Sequence, residues 1–539
     1  MNRISRGCLV GVILFGLVVE TRESMAQFSA DYQTNIVSGV TNSWSGQYYV
    51  GYSSFHNALI VQNSGDLSVS GWIGVGSGAV LVSDPGSALL ASQGVALGGR
   101  DGASMVVSNG GKVLSPSFAG GGTVDSQSAD NASSVIVTGP GSVWSNNMGA
   151  LYVGLYGPGN SLAIRNGGHV IFLDYTFVGF MVGSSNNNIL VADAGSILTN
   201  EFNLNVGEYD GGNSLVISNG GRVISRGGLV GVKTTANANN VRVIGPGSAW
   251  ISWGTFGGYS RMNVGGTSSS NSLFIGDGAQ VIDSIGEVGG SNGVNNSAVV
   301  TGEGSVWSNT STLSVGFLSP STSLTISNGG KVFNTSVSIG SQAPSSSNYV
   351  RVVDGGIWQN AELHVGDQGS SNSLVVAGGT VSATLLTVGL ASSTCDNLLE
   401  IDSGNVMVSG TVEIRNGTLI LNGGILQADT LVITNSCASF VHNGGTLIVG
   451  NVVVDPNAFR ITSIAQEGND LRVTWLMGPG QTNTLQAASG AAGGGYGTNG
   501  FSDIFVVTNN ATAGTLTNFL DVGAATNFPS RFYRARLAP

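Results

Sequence analysis

Residues able to support catalysis are few. The 539-residue chain has four histidines, His56, His169, His364 and His442, and three cysteines, Cys8, Cys395 and Cys437. Imidazoles serve acid–base and metal chemistry, and a thiolate beside one is a nucleophile. Consecutive histidines lie 113, 195 and 78 residues apart, too far to share a metal or a proton in a repeating fold. His442 follows Cys437 by five residues, but no third group is placed to orient it. Clustered carboxylates would bind calcium or work as an acid–base pair. Asp84, Asp193, Asp277 and Asp354 recur, and Glu201, Glu208 and Asp210 form the densest acidic cluster. The remaining candidate is aromatic. Trp144, Trp250, Trp307 and Trp358 take equivalent places in alternate repeats, with Leu198 in the vacant slot and Ile224, Ile282 and Phe333 between. Neighbouring strand residues point to opposite faces, so either this column or the preceding one, Val143, Ala249, Val306 and Ile357, faces outward as a binding stripe. Otherwise a corner turns both inward.

The elements that must position these residues are repeats. N-S-L-x-I segments begin at Asn160, Asn213, Asn271 and Asn372, with weaker copies at Asn57, Gly78, Ala103, Ser133, Asn187, Asn239, Asn296, Thr322 and Asn348, about 26 residues apart on average. Six residues after each start stands Asn63, Asp84, Asn109, Gly139, Asn166, Asp193, Asn219, Gly245, Asp277, Gly302, Asn328, Asp354 or Gly378. All are types that tolerate positive φ, so the four recurrent aspartates read as turn residues. Three short β-branched pieces surround each turn, such as Leu215–Ile217, Arg222–Ser225 and Leu229–Gly231. They are too short for helices and suit strands. One turn of a three-sided solenoid needs about this length, whereas a propeller blade needs ~40–50 residues. A doubled period of 52–57 residues would fit a blade, but the half-units match each other too closely. We therefore expect an all-β fold: a right-handed parallel β-helix of about 16 coils over residues 27–457, then a small β-sandwich over 458–539. The sandwich is read from FRITSIA, LRVTWLM, NTLQA, FSDIFVV and RFYRARL, with Trp475 as its core anchor.

Charge and termini narrow the partners. Only 9% of residues are charged, and the net charge is −11. Residues 1–26 read as a signal peptide: Arg3 and Arg6, an apolar run from Cys8 to Val19, and Ser24-Met25-Ala26 before the cut. The remaining chain carries 16 basic and 28 acidic residues, a net −12, which excludes phosphate-backbone recognition and hence nucleic acid. No later apolar run approaches the ~18 residues of a membrane span. Cys395 and Cys437 fall about two coils apart. At ~4.8 Å per coil that predicts ~10 Å between Cα atoms, beyond disulfide reach, and so free thiols.

The units NSLVISNGGRV (213–223) and GPGSVWSN (139–146), alternating and punctuated by Val-Gly as at Val206-Gly207, resemble repeats of bacterial secreted proteins associated with autotransporter passengers and PEP-CTERM sorting signals. The resemblance spans about 57–400. It implies β-helical surface or secreted proteins and brings no catalytic residues. The C-terminal segment looks like terminal domains that end in F-Y-R on other bacterial secreted proteins. Neither a translocating barrel nor an apolar sorting helix is read in the tail. The expectation is an exported, non-enzymatic adhesin-like rod without cofactor or metal, which contacts glycans or cell-surface components. The alternative is a β-helix that binds or cleaves polysaccharide.

Overall fold

The computed structural model describes residues 28, 30–52, 54–98, 102–115, 121–125, 132–254, 260–391, 393, 395–434, 437–454, 461–478, 480–490, 500–510 and 515–537. The signal-peptide segment lies outside them.

Residues up to 454 form one parallel β-solenoid of about 16 turns. Each coil contributes three strands, as in Ser214–Ser218, Arg222–Ser225 and Gly227–Val230. Each strand pairs in register with its equivalents one coil before and after: Leu215 with Ile189 and Val241, Val223 with Leu198 and Trp250. Every second residue points inward, so Val, Ile and Leu stack into fully buried columns. At ~4.8 Å per rung the rod is on the order of 80 Å long.

The corners carry the period. All thirteen turn positions have positive φ, from 49° at Asp354 to 93° at Gly139. They lie on one another: a Cβ built on Gly245 would meet the Asn219 backbone at 3.5 Å, and one on Gly302 the Asp277 nitrogen at 3.2 Å. The aspartates belong to this stacking. Asp193 Oδ2 accepts the Asn166 N–H and Asp84 Oδ2 the Asn63 N–H, each at 3.3 Å.

The asparagine that opens most repeats has a separate role. Asn187, Asn213, Asn239 and Asn271 are fully buried. The backbone N–H of each donates to the Oδ1 of the next asparagine along the rod: Asn187 to Asn213, Asn213 to Asn239 and Asn239 to Asn271 at 2.9 Å, then Asn271 to Asn296 at 3.0 Å. This uncharged ladder satisfies the buried corner N–H groups without ions. It also explains the Val-Gly punctuation. Gly207 has φ +77°, and a Cβ there would come within 2.2 Å of the Asn239 amide.

Past Asn397 the coils shorten, with Asn397 opposite Gly417 and Thr418 opposite Ser439. Here the cysteine expectation fails: Cys395 and Cys437 form a disulfide with Cα atoms 5.2 Å apart. They are two coils apart, as expected, but the corner of the coil between them is only Arg415-Asn416, between strands Asn397–Ile414 and Gly417–Leu421. Cys395 and Cys437, on the coils to either side, meet across it. The bond closes a loop of 42 residues' separation, worth roughly 2–4 kcal/mol in the chain-entropy account. A Cys395→Ser/Cys437→Ser protein should therefore lose about that much stability in the C-terminal coils. Hydrogen exchange there, compared with the untouched 160–300 coils, measures it.

The last six strands form two three-stranded antiparallel sheets. Asp470–Met477 lies between Ile461–Glu467 and Thr515–Asp521, and Thr482–Gly490 lies between Ser502–Thr508 and Ser530–Leu537. The sequence reading missed Thr515–Asp521. Val473, Trp475, Met477 and Leu485 fill the space between the sheets. Leu476, on the opposite side of the Trp475 strand, joins the rod core, with partly buried Leu516 beside it. The strand Asp470–Met477 is thus covered on both faces, and the sandwich caps the end of the rod. Phe28 is buried in the same core at the first coil.

Candidate binding surface

The tryptophan stripe is not on the surface. Trp144, Trp250, Trp307 and Trp358 have no exposed area, and their column runs inside the second face. Their in-register neighbours are Val223, Val281 and Val332, and Ile224, Ile282 and Phe333 stand one residue later, pointing outward. An interior indole needs a partner for its N–H. Trp250 Nε1 donates to Ser225 Oγ at 2.8 Å, Trp307 to Asp283 Oδ2 at 2.8 Å and Trp358 to Asn334 Oδ1 at 3.0 Å. The inward column two residues after the tryptophans supplies these acceptors from the coil before.

The other chemical candidates separate in space. His56 stacks on Tyr32 with centroids 4.9 Å apart, His169 Nε2 lies 3.1 Å from the Gly195 carbonyl oxygen, and His442 lies beside Phe440. Cys437 is bonded to Cys395 and offers no thiolate to His442. His364 is buried, and burial pushes its pKa down against the upward pull of Asp367 and Glu362. Among the described residues no three His, Cys, Asp or Glu side chains converge on a metal-sized site.

The acidic cluster borders a feature the sequence reading did not single out. On the third face, strands Leu151–Val153, Thr176–Val178 and Asn203–Val206 pair in register, which sets Tyr152, Phe177 and Asn205 in one outward column. Tyr152 stacks on Phe177 (5.2 Å, 9°), Tyr175 on Phe177 (5.7 Å, 18°) and on Phe202 (5.1 Å, 19°). Phe180 meets Phe177 edge-on at 4.5 Å and Tyr209 at 6.1 Å. These six rings form one platform over adjacent coils, and Phe202 and Tyr209 are each 37% exposed. The coils place them there because each Val-Gly corner here is flanked by aromatics: Tyr152-Val153-Gly154, Phe177-Val178-Gly179-Phe180 and Val206-Gly207-Glu208-Tyr209.

Carboxylates edge the platform. Glu208 is buried, and burial raises its pKa, opposed by a 2.8 Å hydrogen bond from Asn205 Nδ2 and by Lys233, whose Nζ is 3.9 Å away. Asp174 is also raised by burial, against the Tyr175 N–H bonded to it at 2.8 Å. Asp210 accepts the Gly183 N–H at 2.7 Å, while Glu201 is solvent-exposed. The arrangement offers an apolar patch with hydrogen-bond acceptors on its rim. Such patches on soluble proteins mark contact sites.

No protein-family model and no curated protein matches the chain. Among solved structures, a TibC-catalysed, hyper-glycosylated TibA fragment aligns over 76% of this chain and 99% of its own, with 13% identity and a TM-score of 0.31. A likeness that loose carries no inference about function.

Proposed function

We propose that the chain is an exported, non-enzymatic surface rod, adhesin-like in mode, that holds cell-surface partners through outward patches on a stiff scaffold. The aromatic platform around Phe177 carries this reading, since it places exposed rings on a face whose backbone is fixed by pairing on both sides. The Cys395–Cys437 disulfide supports export, because such bonds persist in oxidising compartments. Repetition supports multivalent contact: several weak patches on one rigid body bind a surface together far more tightly than any one of them.

The test is retention of the purified protein on intact bacterial and host cells, compared with Phe202→Ser/Tyr209→Ser. Both side chains are partly exposed and lie outside the rod core, so the fold should hold with a loss of roughly 1–3 kcal/mol from the two ring contacts while retention falls at least tenfold. Equal retention by both proteins removes the platform from the account.

A further inference from the structure

A groove of about 430 Å³ lies away from the platform, on the corner between the second and third faces near the C-terminal end of the rod. Gln359, Ser382, Met407 and Gln427 line it from four successive rungs, in register. At ~4.8 Å per rung they form a line of ~14 Å parallel to the rod axis. Thr384 and Ser409 stand along the other side, and buried Ala383 and Val408 make the floor.

No residue lining the groove is ionisable. The amides of Gln359 and Gln427 and the hydroxyls of Ser382, Thr384 and Ser409 make no side-chain hydrogen bond among the described residues. Each of these groups can both donate and accept, which is what a sugar hydroxyl asks of its partner. The exposed Met407 side chain adds a soft apolar surface for the C–H face of a ring. An anionic chain would find no cation here and would meet the field of a protein with net charge −11.

We propose that this corner groove binds a neutral linear polysaccharide, lying along the rod with its repeat read by successive rungs. The proposal deepens the surface-rod reading but rests on a different surface from the aromatic platform, so the two can fail separately.

The experiment is calorimetric titration of the full processed chain with cellohexaose, mannohexaose and xylohexaose, and with hexagalacturonate as the charged control. At least one neutral hexasaccharide should bind, at least tenfold more tightly than hexagalacturonate. Gln359→Ala/Gln427→Ala should weaken that binding at least tenfold. Ser382→Trp, which fills the groove from an outward-facing position, should abolish it, while Phe202→Ser/Tyr209→Ser should bind as the parent does. The proposal is overturned if no neutral hexasaccharide binds, if both groove variants bind unchanged, or if only the platform variant loses binding.

Discussion

Raising the pH from about 4 to 9 should destabilise the central coils, and Asp283→Asn should remove most of that loss. Asp283 sits inside the rod. Its Oδ2 accepts the Trp307 indole N–H, and its Oδ1 has no hydrogen-bond partner. Burial is the main cause of a pKa pushed up to about 8, with the Trp307 bond acting against it. In the unfolded chain the group titrates near 3.9. Below pH 4 both states hold the proton and stability is complete. Between 4 and 8 the native state keeps a proton that the unfolded chain releases, so stability falls as pH rises and levels off above 8. At 1.36 kcal/mol per pH unit the whole effect is roughly 5 kcal/mol. Asparagine keeps the oxygen that Trp307 needs but has no charge to bury. Denaturant midpoints measured at pH 4, 6, 8 and 9 should converge for the two proteins at pH 4 and separate at 9, with the variant more stable. Glu208 and Glu287 are also raised by burial, so the variant keeps a residual slope of the same sign. Parallel pH profiles would show that Asp283 is ionised in the fold or lies elsewhere.

Trp250→Ala should destabilise the middle of the rod rather than impair binding. The ring has no exposed area, and a Cβ built on Gly228 would lie 2.5 Å from it, so the strand next to it has already given up a side chain to make room. Truncating a buried tryptophan to alanine costs roughly 3–5 kcal/mol, because neighbours fixed by pairing above and below cannot collapse into the cavity. Trp250→Phe, which keeps most of the volume and loses the bond to Ser225 together with part of the indole, should cost less than half as much. Urea unfolding of both variants checks the order. A surface stripe would give the opposite pattern, with little loss of stability and a clear loss of ligand retention.

How much of this was legible without coordinates depends on what each feature required of the chain. The coil was readable because one backbone demand, positive φ at a corner, recurs in every repeat and admits only glycine, asparagine and aspartate there. The face of the tryptophans was not, since a period of two gives two columns and does not say which points inward. That choice is made by the Ser225, Asp283 and Asn334 acceptors, which come from the previous coil and so stand far from each tryptophan in sequence. The disulfide was missed for a related reason. Counting rungs set the cysteines ~10 Å apart along the axis, but the coil between them has only the two-residue corner Arg415-Asn416, and over it Cys395 and Cys437 close to 5.2 Å. The aromatic platform has no fixed spacing, because its six rings come from three columns around the Val-Gly corners. The corner groove is quieter still. Its residues are ordinary polar ones that acquire meaning only as a column.

The account rests on coils lying one upon another, which makes distances along a column additive. Lys112, Val143, His169, Ile197, Arg222, Ala249, Gln280, Val306 and Lys331 are successive in-register partners on the second face. Spin labels placed in pairs at positions 112, 222 and 331 and measured by pulsed electron resonance should give two distances of ~19 Å and a third of ~38 Å, at ~4.8 Å per rung. A 112–331 distance no longer than the other two would place the repeats around a ring, and the stacked rod would be wrong.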